Sequence, residues 1–185
     1  SVADPLNYYE VNVGGSISLL SAMSKAECNA IVFSSSATVY GEPQYLPYDE
    51  EHPTNPVNPY GRTKLMIENI IQDWTKVDIK RRGTILRYFN PVGAHESSLI
   101  GEEPIGIPNN LMPFIAQVAD GQSEYLDIFG NDYDTSDGTR ARDYIHIVDL
   151  VLAHIIALNP NTLNKFEILN IGGGKSTTVL ELIKS

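Results

Sequence analysis

Three short apolar runs, separated by longer segments with helical periodicity, constrain the fold of this chain most strongly. The runs cover residues 30–35, 83–89 and 166–171, and the first leads into three consecutive serines, Ser34–Ser36. Continuous apolar runs of this length are typical of strands that are buried on both faces of a parallel sheet. Because such strands alternate here with helices, the sequence predicts an α/β fold with a largely parallel sheet.

The clearest helix signal starts at Asn58, which can cap a helix, and at Pro59, which suits the first helical position. The apolar periodicity predicts that this helix continues to about Val77. Residues 41–59 contain five prolines and are predicted to form a long loop. Four other helices are predicted at 7–25, 109–120, 148–158 (stopped by Pro160) and 177–185, and a short strand at 125–129.

Composition excludes several functional classes. The net charge of −10 over 185 residues disfavours nucleic acid or an anionic membrane as the main partner. A single Cys28 rules out an internal disulfide and fits a reducing compartment. The sequence has no signal peptide at its start and no apolar run long enough to span a membrane, so we predict a cytoplasmic location. The four histidines share no metal-ligand spacing, and we predict no metal site.

A candidate acid/base pair lies in the predicted helix that follows Pro59. Tyr60 and Lys64 are four positions apart and therefore project from one helix face. A nearby ammonium favours the phenolate form of a tyrosine, so the pair could act as a general acid/base. Because the chain has ten tyrosines, a tyrosine and a lysine can also have this spacing by chance, as a surface tyrosine beside a surface lysine. The hydroxyls of Ser34–Ser36 could meet Tyr60 above the sheet, although serines at strand ends often bond the loop backbone instead.

Further polar and aromatic residues lie at the predicted end of a strand and at helix starts. Tyr88, Phe89 and Asn90 end the second apolar run, where ligands of α/β folds gather, or they form only a strand edge. Asn110 lies at the start of a helix and could bond a ligand or simply cap that helix. Arg142 has acidic neighbours, so a structural ion pair is its alternative role.

Five motifs together carry a resemblance to a known family. They are 33–41 (FSSSATVYG), 58–64 (NPYGRTK), 86–95 (LRYFNPVGAH), 106–113 (GIPNNLMP) and 137–146 (DGTRARDYIH). In this order and with these residues the chain resembles UDP-glucose 4-epimerases, which belong to the extended short-chain dehydrogenase/reductase family. The resemblance covers essentially the whole chain.

The resemblance implies a role for each candidate residue. Tyr60 would take the proton of the sugar 4-hydroxyl, Lys64 would lower the tyrosine pKa and bond the nicotinamide ribose, and Ser36 would relay the proton. Hydride would pass between C4 of UDP-galactose or UDP-glucose and NAD, through a 4-keto intermediate. Asn12, Ser34 and Tyr88 would line the NAD site together with Tyr60 and Lys64. The UDP-sugar would be held by Ser36, Phe89, Asn90, Asn110, Leu111, Phe129 and Arg142, with Arg142 on the pyrophosphate.

The resemblance also implies how the chain is organised. Residues 1–93 would form the C-terminal half of an NAD-binding Rossmann domain, and 94–185 mostly a substrate-binding region with returning Rossmann elements. The glycine-rich GxxGxxG loop of such domains does not occur in this sequence. We therefore expect an internal piece of a longer enzyme of galactose metabolism that is inactive alone. The intact enzyme is expected to be a homodimer built on the helices at 7–25 and 58–77.

The residues after Ser36 bear on the reaction type, and two alternatives to a UDP-glucose 4-epimerase remain open. Sugar-nucleotide 4,6-dehydratases of the same family carry an Asp-Glu pair after the strand-end hydroxyl, whereas this chain has Ala37 and Thr38, which favours epimerisation over dehydration. A UDP-N-acetylhexosamine 4-epimerase and a non-catalytic relative that only binds sugar nucleotides are the alternatives.

Overall fold

The computed structural model describes residues 1–102, 104–106, 108, 110–159 and 164–185. It contains two compact units, Ser1–Tyr88 with Val151–Ile171 and Phe89–Leu150 with Gly172–Ser185. The helices are α1 (Pro5–Tyr8), α2 (Gly15–Lys25), α3 (Pro59–Val77), α4 (Leu111–Ala119), α5 (Ile147–Ala157) and α6 (Val179–Lys184), with a π-helical segment at Tyr9–Gly14 and a 3-10 turn at Ala37–Val39. The strands are β1 (Ala30–Ser36), β2 (Arg82–Tyr88), β3 (Asn90–Val92), β4 (Ala141–His146), β5 (Phe166–Ile171) and β6 (Ser176–Thr178).

The three apolar runs form the parallel sheet of the first unit. Its strand order is β1-β2-β5, with Ala30 opposite Arg82 and Gly83 opposite Phe166. This arrangement confirms the predicted α/β fold with a parallel sheet. The register also brings the carboxyl ends of β1 and β2 together, because Ser36 lies opposite Tyr88.

Helices α2 and α3 cover one face of this sheet. Leu20 of α2, Ile67 and Ile71 of α3, and Ile85 of β2 form its buried core cluster. Burying an aliphatic side chain of this size stabilises a fold by roughly 1.5–3 kcal/mol. The cluster therefore holds α3 firmly against the strands that carry the candidate serines.

The start of α3 confirms the prediction from Asn58 and Pro59. Asn58 Oδ1 accepts a hydrogen bond from the Gly61 N–H at 2.8 Å, and Pro59 is the first helical residue. A Cβ atom at Gly61 would lie 2.8 Å from the Thr38 carbonyl oxygen. Only glycine allows the first turn of α3 to pack this closely on the turn that follows β1, and this packing brings Tyr60 to the end of that strand.

The predicted loop before α3 is well anchored to the first unit. The ring of Tyr40 stacks on that of Tyr48 with their centroids 5.0 Å apart, and His52 packs edge-on against both. Asn170 at the end of β5 donates from its side chain to the Tyr48 carbonyl at 3.2 Å, and its N–H donates to Glu50 at 2.6 Å. The loop is therefore tied to the third strand of the sheet.

The second unit contains a small mixed sheet that the sequence patterns did not predict. Strand β4 pairs with β3 in parallel and with β6 antiparallel. The predicted helix at 177–185 begins only at Val179, because Thr177 and Thr178 pair with β4 and the Thr178 side chain caps α6. Asn109, where one predicted helix began, and Pro160, which was predicted to stop another, lie outside the described residues.

The predicted strand at 125–129 is wrong. This segment has no regular secondary structure, and Tyr125 and Phe129 are 68% and 84% exposed. An apolar run forms a strand only where a neighbouring strand satisfies its backbone groups, and no ladder joins this segment to another strand of the described chain.

Candidate active site

Tyr60 and Lys64 occupy the first two turns of α3 and are both partly buried. The Lys64 ammonium donates a hydrogen bond to the Ser34 carbonyl oxygen at 2.9 Å. It also lies 5.0 Å from the centre of the Phe33 ring and 5.5 Å from that of Tyr60. Lys64 thus connects α3 directly to the carboxyl end of β1.

Ser36 closes β1 and is buried. Its hydroxyl oxygen accepts hydrogen bonds from the Thr38 N–H at 3.3 Å and the Thr38 hydroxyl at 3.0 Å. The Ser36 side chain also interacts with the Tyr60 phenol. Ser36 therefore bonds the following turn, as strand-end serines commonly do, and also contacts the candidate base.

Burial shifts the pKa values of both Tyr60 and Lys64. Burial raises the pKa of Tyr60 above its ordinary value, the nearby phenols of Tyr88 and Tyr8 add to the rise, and the hydrogen bond with Ser36 opposes it. Burial likewise lowers the pKa of Lys64. The Lys64 ammonium bonds the Ser34 carbonyl, and burial disfavours the Tyr60 phenolate. The expected role of Lys64 in lowering the pKa of Tyr60 stays a prediction.

The other predicted cofactor residues surround the same end of the sheet. Asn12 lies in the π-helical segment, and its amide donates to the Thr63 hydroxyl of α3 at 3.0 Å. The Ser34 hydroxyl and His154 Nε2 of α5 are hydrogen-bonded at 2.8 Å. Tyr88 ends β2, and its ring centre lies 6.3 Å from that of His154. All the predicted catalytic and cofactor residues thus belong to the first unit.

The predicted sugar-nucleotide residues other than Ser36 belong to the second unit. Asn90 donates from its side-chain amide to the Asp143 carbonyl at 2.9 Å, next to exposed Arg142 on β4. Asn110 precedes α4 and is exposed; its side chain makes no capping bond, so the alternative of a simple side-chain cap does not hold. The remaining three are Leu111 in the first turn of α4, Phe89 beside Gly172, and Phe129 in the irregular segment.

Sequence reasoning missed a buried polar group beneath this site. Glu68 and Arg87 form an ion pair at 2.6 Å, and Ser35 donates to Glu68 at 2.5 Å. A glutamate one turn after Lys64, within an apolar helix face, was the signal that could have revealed it. His154 of α5 was likewise missed, and its contact with Ser34 arises from chain segments 120 residues apart.

Within the described residues, no group of three or more His, Cys, Asp and Glu side chains is arranged to hold a metal ion. None of the described helices is both long and apolar enough to cross a lipid bilayer.

Comparisons with known proteins give the arrangement its context. A model of the NAD dependent epimerase/dehydratase family matches residues 1–172. Over 187 aligned residues the chain is 53% identical to UDP-glucose 4-epimerase of Bos taurus, and the match covers 100% of this chain and 54% of that protein. The chain therefore spans about half the length of the curated relatives that it matches.

Two solved structures are also similar. UDP-glucose-4-epimerase from Stenotrophomonas maltophila, with bound NAD and formylated UDP-arabinopyranose, matches with a TM-score of 0.92 and 49% identity, over 97% of this chain and 54% of that one. UDP-glucose 4-epimerase from Bifidobacterium longum, in complex with NAD+ and UDP, matches with a TM-score of 0.91 and 48% identity, over 100% and 55%. These similarities confirm the predicted resemblance and the Rossmann-like fold class.

Proposed function

Since this chain belongs to the NAD dependent epimerase/dehydratase family, we propose that it is the middle part of an enzyme that reversibly interconverts UDP-galactose and UDP-glucose. The observation that carries the proposal is that Ser36, Tyr60 and Lys64 lie together at the carboxyl ends of β1 and β2. The similarity to proteins named UDP-glucose 4-epimerase supports the choice of substrate.

Tyr60 is the group that exchanges a proton with the sugar 4-hydroxyl. Its phenol is partly buried and interacts with the Ser36 hydroxyl, so a sugar oxygen bound there could bond both side chains. Because burial raises the pKa of Tyr60, little phenolate exists at neutral pH in the arrangement described above. Conversion that depends on this base therefore increases with pH through the acid limb of its profile.

The residues of the first unit suit NAD. Lys64 carries three N–H donors, one of which bonds the Ser34 carbonyl, so the same ammonium can also bond ribose hydroxyls. Asn12, Ser34 and Tyr88 would line the same site. When bound, NAD supplies the acceptor and donor of hydride, and the positive charge of its oxidised ring favours the Tyr60 phenolate.

The turn after Ser36 favours epimerisation over dehydration. Elimination of water needs an additional acid and base beside the sugar. Ala37 has no titratable group, and the Thr38 hydroxyl already donates to Ser36 at 3.0 Å. This turn therefore supplies no second proton carrier.

On the substrate side, we assign the UDP-sugar to residues of the second unit. Arg142 would bond the pyrophosphate, because a guanidinium matches phosphate oxygens in a bidentate geometry. Asn110 and Leu111 begin α4, where free backbone N–H groups also suit phosphate. Phe89, Asn90 and Phe129 would complete the contacts.

The intact enzyme is a cytoplasmic homodimer in this proposal. The helical region before β1 and helix α3 present exposed apolar side chains to solvent, among them Val11, Ile17, Leu19 and Met66, which are 44–62% exposed. Apolar side chains concentrated on neighbouring helices favour a contact between subunits. The chain alone is inactive in this proposal, because it carries no glycine-rich loop for the pyrophosphate of NAD.

The function is tested by identifying products with proton NMR. The full-length protein that contains this chain is incubated with UDP-galactose and, separately, with its N-acetyl analogue. The proposal predicts UDP-glucose from the first substrate. Conversion of the N-acetyl sugar alone would move the assignment to a UDP-N-acetylhexosamine 4-epimerase, and tight binding of both without conversion would favour a binding protein.

A further inference from the structure

The carboxylate of Glu68 joins three secondary-structure elements inside the first unit. Its Oε1 accepts hydrogen bonds from Ser35 Oγ of β1 at 2.5 Å and from Arg87 Nε of β2 at 3.1 Å. Its Oε2 accepts from Arg87 Nη2 at 2.6 Å. The side chains of Arg87 and Glu68 are only 4% and 3% exposed. The helix α3 is therefore joined to two neighbouring strands by a single buried charged group.

Arg87 extends these contacts to the third strand. Its Nη1 donates to the Tyr40 hydroxyl at 3.1 Å, and its guanidinium lies 4.9 Å above the Tyr40 ring. The Tyr40 hydroxyl in turn donates to Asn170 Oδ1 of β5 at 2.6 Å. The contacts thus reach from the segment after Ser36 across the whole sheet.

These contacts lie next to the proposed catalytic residues on both α3 and β1. On α3, Glu68 lies one turn after Lys64 and two turns after Tyr60, on the same helix face. On β1, Ser35 stands between Ser34, whose carbonyl holds Lys64, and Ser36, which contacts Tyr60. The hydrogen bond between Ser35 and Glu68 therefore connects β1 with α3, the same two elements that carry Ser36, Tyr60 and Lys64.

Stability alone does not require a charged group at this place. A buried ion pair loses about as much in desolvation as it gains in attraction, and apolar residues of similar volume often serve equally well. A bidentate guanidinium–carboxylate pair does fix distance and orientation, which apolar packing does less strictly. A displacement of 1 Å at a catalytic group can reduce a rate about 100-fold.

We propose that Ser35, Glu68 and Arg87 are positioning residues that set the separation of α3 from β1, and with it the contact of Ser36 with Tyr60. The inference rests on the proposed function of Tyr60 as the base. None of the three residues needs to touch the substrate. Loss of any one should therefore reduce turnover while leaving substrate binding nearly unchanged.

The test variant is Ser35→Ala in the full-length protein, because it cuts the link to Glu68 without leaving a buried charge unpaired. We expect kcat to fall roughly tenfold with KM changed less than about twofold. Asp73→Asn is the matched control: it removes a carboxylate from the same helix, where Asp73 forms an exposed pair with Lys76. This control should keep the kcat and KM of the parent.

A second measurement reports Tyr60 without any reaction. With 3-fluorotyrosine placed at position 60, fluorine NMR follows the titration of that one phenol among its neighbours Ser36, Lys64, Tyr88 and Tyr8. The contact with Ser36 lowers the pKa of Tyr60, so Ser35→Ala should shift the titration to higher pH, and Asp73→Asn should not.

The two readouts separate the two proposals. If the parent does not interconvert the sugars, the proposed function is wrong, and the fluorine titration alone decides the positioning role. If Ser35→Ala matches the parent in the fluorine titration, and in kcat where there is turnover, the positioning role is overturned. A higher titration pH in Ser35→Ala, with lower kcat wherever turnover is measured, supports it.

Discussion

The substitution Glu68→Gln should destabilise the protein strongly. The amide can still accept the Ser35 hydrogen bond, but it no longer neutralises Arg87, whose side chain is 4% exposed. Although burial alone lowers the pKa of Arg87, its bonds to Glu68 and Tyr40 outweigh burial and raise that pKa above its usual value, so the guanidinium stays charged. Leaving such a charge unpaired costs about 3–5 kcal/mol.

Two comparisons show whether the charge is responsible. Asp73→Asn breaks an ion pair on the same helix whose side chains are 64% and 76% exposed, so it should cost under about 1 kcal/mol. Glu68→Gln combined with Arg87→Met removes both charges and keeps the acceptor for Ser35. This double variant should recover most of the lost stability, to within about 2 kcal/mol of the parent.

Urea unfolding of the full-length protein, followed by circular dichroism, measures these differences. For a slope of about 2–3 kcal/mol/M, Glu68→Gln should lower the midpoint by about 1–2 M. A loss no larger than that of Asp73→Asn would refute the argument, because the pair would then contribute no more than a solvent-exposed one. Stability restored in the double variant without restored turnover would separate positioning from folding.

Three other predictions follow from the same contacts. Burial raises the pKa of Tyr40, Tyr60 and Tyr144, the hydrogen bond to Asp49 raises the pKa of Tyr45 to about 12, and burial lowers the pKa of Lys64. Since four phenols oppose one ammonium, the urea midpoint should fall above about pH 10, where phenols of the unfolded chain ionise while those of the folded chain stay neutral. A midpoint that rises above pH 10 would contradict this sign. Gly61→Ala should destabilise the protein by about 1–3 kcal/mol, because its Cβ would lie 2.8 Å from the Thr38 carbonyl oxygen. The control Gly15→Ala, whose Cβ would have nothing within 4 Å, should be neutral or stabilising by up to about 1 kcal/mol. Equal urea midpoints for the two variants would show that position 61 has room for a Cβ atom. Leu19→Glu and Met66→Glu, at exposed apolar positions on two helices, should shift the full-length protein from dimer to monomer in sedimentation velocity, and an unchanged dimer would place the interface elsewhere.

The sequence predicted the first unit well because its signals are local. Strand β5 has the predicted bounds, β1 ends one residue later than predicted, and β2 begins and ends one residue earlier. The beginning of α3 follows from the capping side chain of Asn58 and the fixed φ of Pro59. Tyr60 and Lys64 share a face because helical spacing requires it.

The second unit was predicted less well because its strands depend on distant partners. Strands β3 and β6 have three residues each, and β4 carries Arg142 and Asp143 in place of an apolar run. Their pairing is visible only in three dimensions. The same limit applies to the pKa of Tyr60, since burial is the largest cause of its shift and cannot be read from a four-residue spacing.

A time course of UDP-galactose with the Tyr60→Phe variant tests whether Tyr60 is the catalytic base. The full-length parent and variant are compared by proton NMR, with UDP-sugar affinity checked by calorimetry. If Tyr60 is the base, the variant should bind UDP-sugar like the parent and convert it about 100-fold to 10,000-fold more slowly. Conversion by the variant at the rate of the parent would contradict the claim and assign the proton transfer to another residue.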